Sequence, residues 1–547
     1  LPRQGHSPFL GDLPPPGTFT VPEYNNGGAP IATLEQEGTE YIAPRRPAIT
    51  LPRLRWTQIL AISIFCFALN FHWTALGIII LPSQVFKIAG DATKGTALAY
   101  VLVPGAFVSL FANPLFGMLS DRTHGRLAAW GRRRPYILFG TLVNVLGLIW
   151  MAASHDIPTL TLAYVLVQFS SNAAQAPFHA LLPDMVPEGQ RGLVSGIMGL
   201  LAITGTIGGV IVAGLFVAAS KPLPEYQLGL WLTYGIIIAV LVPLMLVTLI
   251  SVRERMGASA QLETQEVEKN AGAPVQDASL EQPRRLSWIQ KIPRSTKINV
   301  LSTLVVAAVV WGIMALWNGL HSSGLQISSE FQQVILEVVI TIGLLRLFDF
   351  NPRRDPDFAW VLLTRLVMML GIFTIQAYLQ YYLHDVVGAS NPEQQATNFV
   401  IIVALTSLIS APAAGWLSDR FGRKRIVYFS GGFMALVGLV FVLAHSLVIA
   451  LAAGAIFGLG YGAYQSVDWA LVVDVLPSHR NYARDMGIWN ISLSLPQVIA
   501  PVIGGPIIDS FTRSGNSVAG YQAIFIMAIV YCLIGTVTVR YIRGVKR

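Results

Sequence analysis

Long uncharged apolar runs leave this chain few ways to fold. Runs able to cross about 30 Å of hydrocarbon cover roughly residues 56–81, 95–119, 135–154, 157–183, 192–219 and 227–252. Six more cover roughly 358–384, 394–416, 425–445, 447–475, 484–511 and 519–542. Inside hydrocarbon a segment must satisfy its own backbone polar groups, so each run reads as a helix. The composition agrees: 53% of residues are hydrophobic, 12% are charged and the mean hydropathy is +0.58, well outside the soluble globular range. The expected fold is an all-α integral membrane bundle of two six-helix halves.

The halves are duplicates. Between the second and third runs lies Gly117-Met-Leu-Ser-Asp-Arg122, then a gap of nine residues, then Arg132, Arg133, Arg134 and Pro135. Between the eighth and ninth runs a shorter copy returns as Gly415-Trp-Leu-Ser-Asp-Arg-Phe-Gly-Arg-Lys-Arg425. Acids and basic clusters cannot lie in hydrocarbon, so each copy marks a helix–loop–helix corner at one membrane face, while Gly117 and Gly415 would let neighbouring helices approach. Further on, the segment Gln175–Pro187 aligns without a gap against Gln465–Pro477, which makes the fourth and tenth spans equivalent.

Charge places the loops. Of 37 basic residues, only Lys87, Lys94, Lys221 and Arg513 fall in loops on the face away from the two corners. The positive-inside rule then puts both termini, both corners and the central linker in the cytoplasm, and a plasma-membrane protein is expected. The net charge of +8 is distributed as a topology signal and implies no nucleic acid. The two cysteines, Cys66 and Cys532, lie in apolar runs near opposite ends of the chain and suggest neither a disulfide framework nor a metal site.

The expected domains are a disordered tail over residues 1–55, with no signal peptide evident; a first six-helix half over 56–252; a polar linker over 253–298; an extra hairpin over 299–350; and a second half over 351–547. The hairpin rests on the apolar runs Val300–Trp317 and Val334–Phe348, the second of which carries Glu337 and Arg346. A pair of helices lying in the interface is the alternative.

Polar residues in the spans carry the functional reading. Gln168, Asn172, Gln175 and His179 follow one another at steps of four, three and four, a stripe on one face of the fourth span. The seventh span repeats the arrangement with Gln376, Gln380 and His384; the first offers Asn70, His72 and Trp73; the tenth Tyr464, Gln465, Asp468 and Trp469; the eleventh Asn490. Such stripes can be packing glue, worth about 0.6 kcal/mol per hydrogen bond. As a set, neutral amides beside aromatics suit a neutral polyhydroxylated ligand, with Asn70, Trp73, Gln168, Asn172, Gln175, Gln376, Gln380, Tyr464, Gln465 and Asn490 as the binding candidates. Ionisable groups inside a membrane are functional candidates by default, so Asp468, His179 and His72 are the candidates for proton coupling. Asp468 could equally be the fixed partner of a hydrogen-bond network. Arg365 reads as a residue that snorkels to the headgroups.

The duplicated Ser-Asp-Arg corner with its basic cluster resembles the signature of the major facilitator superfamily. That resemblance implies alternating access, with the first, fourth, seventh and tenth spans lining a central cavity. It assigns Asp121, Arg122, Arg132, Arg133, Arg134, Asp419, Arg420 and Arg423 to gating contacts between the halves at one face. Gly131-Arg-Arg-Arg-Pro135, the segment Asn172–Asp184, and the weaker Phe71-His-Trp73 with Leu81-Pro82, are similar to the sucrose-transporter-like branch of sugar–proton symporters. That branch's plant members carry an Asp and an Arg eleven residues apart in the fourth span, where this chain has Gln168 and His179. Any coupling group therefore lies elsewhere, Asp468 first.

The expectation is a monomeric secondary transporter of a small neutral solute, a sugar or glycoside, with proton symport and no cofactor or metal. Sodium coupling and uniport stay open, and export of amphipathic, drug-like molecules and a transport-dead membrane sensor are the rivals. No metal-ligand cluster, nucleophile–base motif or phosphate loop stands out, so an enzyme is the weakest reading.

Overall fold

The computed structural model describes residues 53–121, 123, 130–251, 294–321, 327, 329–347, 350–475 and 482–544. The amino-terminal tail, Arg122 and nearly all of the expected linker lie outside them.

Fourteen long helices follow in order: α1 (Trp56–Ala89), α2 (Lys94–Asp121), α3 (Arg134–Ala152), α4 (Ile157–Met185), α5 (Glu188–Phe216), α6 (Leu223–Ser251), α7 (Arg294–Leu320), α8 (Ser329–Leu347), α9 (Pro356–Asp385), α10 (Pro392–Phe421), α11 (Arg423–Leu443), α12 (Leu447–Val475), α13 (Tyr482–Arg513) and α14 (Ser517–Thr538). There is no strand among the described residues. Twelve helices are long and apolar enough to cross a membrane, which makes this a multi-pass membrane protein. Their membership is informative. α7 counts among them through Leu301–Leu320, whereas α4, at 29 residues, has the length but not the apolarity. The polar stripe running through α4 is the reason.

Duplication extends from sequence to packing. α1 packs on α5, α2 on α4 and α3 on α4; in the second half α9 packs on α13, α10 on α12 and α11 on α12. The halves meet along two seams of the same symmetry, α2 against α13 and α5 against α10. Apolar side chains gain little by leaving lipid for protein, so close backbone approach has to supply the attraction. Accordingly, a Cβ at Gly205 or Gly209 would collide with the carbonyls of Phe67 and Phe71, and one at Gly458 or Gly462 with those of Val403 and Ser407. The two signature corners each turn on a left-handed glycine, Gly131 at φ 124° and Gly422 at φ 93°, which a side-chain-bearing residue would adopt only under strain.

The expected extra hairpin corresponds to α7 and α8, which pack on each other, with α8 also touching α2 and α13 along their seam. Val334 seats against Val103, Ala106, Val498 and Val502 there.

Candidate functional site

Within α1, nine residues before its end, the stretch Ala75–Ile80 winds as a π-helix. Widening the turn frees backbone carbonyls, and the Gln380 amide of α9, with its nitrogen facing Ile78 and Ile79, donates to both at 3.1 Å. Nearby, Tyr381 Oη donates to the Pro82 carbonyl at 2.9 Å. These are contacts between the halves. They belong to a wider set at the face away from the signature corners.

Three carboxylates of the second half dominate that set. Asp509 of α13 accepts from the Gly95 and Thr96 backbone N–H groups at 2.9 and 2.7 Å, so a negative charge caps the positive amino-terminal end of α2. Glu393, in the first turn of α10, accepts through Oε1 from Ser83 Oγ and the Ala219 N–H, both at 2.8 Å. Asp385, at the end of α9, binds the fully buried Lys94, while Tyr521 Oη donates to it at 2.5 Å and His384 Nδ1 lies 2.6 Å away. Beneath them Gly95 and Gly505 bring two backbones together: a Cβ on Gly505 would stand 2.6 Å from the Gly95 carbonyl oxygen. The hydrogen bonds between the six-helix halves that join two described residues lie toward this face, Thr397 Oγ1 to the Val210 carbonyl at 2.9 Å among them. This face is closed.

The signature face differs. Arg132 and Arg133 both reach Asp184, at 3.2 and 3.0 Å, and Arg133 also donates to Ser120 Oγ at 2.6 Å. Arg423 binds Asp474 at 2.5 Å and lies 3.7 Å from Asp419. Each of these pairs stays within its own half. Arg134 reaches the Trp130 carbonyl at 3.4 Å, and the Arg420 guanidinium lies 5.7 Å from the rings of Trp416 and Phe421. Asp121 ends α2. The close helix approach expected at Gly117 and Gly415 does not occur: nothing comes within 4 Å of a Cβ at the first, and only Ser466 Oγ, at 3.8 Å, near the second. With the seam bonds gathered at the other face, no packing demand falls on these glycines.

The polar candidates divide into two kinds. Gln168 and Asn172 are buried and satisfied within the first half: Gln168 donates to Tyr164 Oη at 2.7 Å, and Asn172 donates to the Gln168 carbonyl at 2.8 Å while accepting from Asn113 at 3.2 Å. Gln380 is buried and held by α1. Asn70 donates to the Cys66 carbonyl at 2.8 Å. Gln175 and His179, 3.3 Å apart, are at least partly exposed, as are Gln376, Trp73 and Gln465, the last donating to Tyr461 Oη at 2.8 Å. His72 is buried with neither ring nitrogen bonded, its ring 4.8 Å from that of Trp73. Asn490 lies on α13.

Arg365 is the correction. It does not snorkel: its side chain is 3% exposed and forms an ion pair with Asp468, itself 2% exposed, tying α9 to α12. Tyr464 Oη donates to the other Asp468 oxygen at 3.2 Å, and the guanidinium lies 3.5 Å from the centre of the Trp489 ring, with Trp469 edge-on to that ring at 4.4 Å. A charge seven or more residues from a helix end cannot reach the headgroups as easily as it can a buried partner of opposite sign. No group of three or more His, Cys, Asp or Glu among the described residues is placed to hold a metal.

Comparison with known proteins fits this architecture. The chain is 26% identical over 179 residues to the methylenomycin A resistance protein of Streptomyces coelicolor, covering 31% of this chain and 36% of that one. It is 26% identical over 166 residues to the quinolone resistance protein NorA of Staphylococcus aureus, covering 30% and 42%. The matches therefore span well under half the length of these curated relatives. Over its fold, the crystal structure of a mutant of the nucleoside transporter NupG superposes with a TM-score of 0.57 at 13% identity, covering 89% of this chain and all of that one. The family model of the Major Facilitator Superfamily matches residues 59–350 and 352–547, and the chain belongs to that superfamily of membrane transporters.

Proposed function

We propose that this transporter moves a small neutral polyhydroxylated solute, a sugar or glycoside, by alternating access between its halves, with proton symport. The observation that carries the reading is charge balance. Among the described residues, Arg365 and Asp468 are the buried side chains of opposite charge that lie at least seven residues from a helix end, and they cancel. The other polar groups around them are amides, phenols and indoles, which exchange hydrogen bonds with hydroxyls and stack on sugar rings without selecting for charge. Gln175, Gln376, Gln465 and Trp73 are the candidates for direct contact, with Gln168, Asn172 and Tyr464 holding their neighbours in place.

The clustering of basic residues at the signature corners supports a cytoplasmic position for that face. The conformation is then one open to the cytoplasm and closed outside. Asp121, Arg122, Asp419 and Arg420 would close the inner face when the outer latch opens. Coupling is assigned to Asp468: a proton there dissolves the ion pair and releases Arg365 toward solute, with His179 and His72 as further proton carriers.

The two resistance proteins favour a second reading, export of an amphipathic molecule. Uptake into proteoliposomes separates the two. Labelled sucrose and other mono- and disaccharides should accumulate under an imposed proton gradient, and Asp468→Asn, scored on protein that elutes as a monodisperse species, should lose accumulation while keeping gradient-free exchange. Absence of sugar movement together with gradient-driven transport of amphipathic cations would replace the first reading with the second.

A further inference from the structure

At the signature face, the turn that follows α14 is strapped onto the second half. Val539–Tyr541 forms a 3₁₀ turn, and beyond it the Asp357 carboxylate, in the first turn of α9, accepts from the Arg543 and Gly544 N–H groups, both at 2.7 Å. Lys424, in the first turn of α11, donates to the Ile542 carbonyl, and the Tyr541 ring stacks on Trp360 of α9 with centroids 4.6 Å apart. These bonds gather six basic residues: Arg353 and Arg354 just before α9, Lys424 and Arg425 on α11, and Arg540 and Arg543 beyond α14. Arg354 is three residues from Asp357, hence within about 11 Å of it along the chain. Asp355 and Asp357 are the acids of residues 353–360, 424–425 and 539–544, so positive charge prevails.

That charge is unbalanced in a way the rest of the face is not. Arg132 and Arg133 meet Asp184, and Arg423 meets Asp474. Among the described residues, no ion pair engages any of the six. What the charges border identifies their counter-ion. Arg425, Phe429, Phe433 and Leu436 follow at steps of four, four and three, an exposed stripe on α11 in which Phe429 is 68% exposed. On α14, exposed Leu533 and Val537 lead in steps of four and three to exposed Arg540. The two helices touch at Gly431, where a Cβ would collide with Thr536. Two lipid-facing stripes thus each end in an arginine. Tyr541 and Trp360 supply the amphipathic rings of a membrane–water boundary, and the Arg540 guanidinium lies 4.9 Å from the Tyr541 ring.

We propose that this patch binds an anionic phospholipid, its phosphate paired with the basic cluster and its acyl chains laid on the exposed faces of α11 and α14. A soluble phosphate or an acidic peptide would answer the charge but leave the stripes bare. The inference needs only a membrane surface with anionic lipid at this face, so it stands independently of which solute the transporter carries.

The test uses the full chain in a neutral detergent, titrated with phosphatidylglycerol or phosphatidylcholine, with bound lipid counted by native mass spectrometry. Phosphatidylglycerol should bind more tightly. Each basic residue near an anionic surface contributes enough that Arg540→Gln should weaken its binding about fivefold. Arg425→Gln, on a separate helix, should do the same and stands in should Arg540→Gln fail to elute as a monodisperse species. Lys221→Gln, at the opposite face, should leave binding unchanged, and glycerol 3-phosphate, which lacks acyl chains, should not displace the lipid at equal concentration. The inference is overturned by phosphatidylglycerol binding no tighter than phosphatidylcholine, by a folded arginine variant that binds like the wild type, or by Lys221→Gln weakening binding as much. Displacement by glycerol 3-phosphate at equal concentration would also overturn it, making the patch a site for a soluble phosphate.

Discussion

The Arg365–Asp468 pair makes a prediction whose size follows from burial. Both side chains are nearly inaccessible, so neither charge can turn to water when its partner is removed. Replacing Asp468 by Asn, or Arg365 by Met, should therefore each cost about 3–5 kcal/mol of stability, because an uncompensated buried charge remains. Removing both takes the problem away with the charges: the double variant loses the stacking on Trp489, while the Asn amide oxygen can still accept from Tyr464, so it should be more stable than either single variant. The coupling should reach about 3 kcal/mol, the upper end for residues in direct contact. Denaturant unfolding of the four purified proteins in one detergent measures it, followed by Trp fluorescence. A double variant that loses as much as the two single variants together would refute the reasoning, since it would mean that the charges are hydrated and independent.

The outer latch yields further expectations. Gly505→Ala places a methyl 2.6 Å from the Gly95 carbonyl oxygen; overpacking of about 1–3 kcal/mol should shift the closed-to-open ratio of that face roughly 5–150-fold, seen as faster labelling of a cysteine at Thr96 by an impermeant reagent, and an unchanged rate would contradict the close approach. Asp509→Asn keeps an acceptor for α2 but removes the charge from its amino-terminal end, so the same assay should show a smaller opening, equivalent to about 0.3–2 kcal/mol. Among the amides, Asn172→Leu should lower thermal stability because Asn113 loses its acceptor, whereas Gln376→Ala should leave stability unchanged and raise KM; the reverse pattern would exchange their roles.

Much of the fold was legible because hydrocarbon thickness fixes the length of a span and the exclusion of charge fixes its ends. The duplicated corner carried the symmetry, and the packing of α1–α6 repeats in α9–α14. What sequence could not show were partners distant along the chain. A lone Arg365 in an apolar run reads the same whether it rises to the headgroups or meets an acid 103 residues on. Gln380 has the spacing of a ligand-binding amide, but its amide serves carbonyls freed by a π-turn that no periodicity announces. The latch acids Asp385, Glu393 and Asp509 sit near helix ends, where an acid reads as a boundary. A signal was nevertheless present: Lys94 is one of four basic residues in loops on that face, and an isolated cation there has to find an anion.

Counterflow tests the central claim most directly, because it needs no gradient and no assumption about the coupling ion. Proteoliposomes loaded with an unlabelled disaccharide are diluted into a trace of the labelled sugar, and internal label is followed over time. An alternating-access carrier of neutral polyhydroxylated solutes gives a transient internal accumulation above the external concentration, which then decays. Folded protein that shows no overshoot with any neutral sugar, while giving one with an amphipathic cation, would contradict the account.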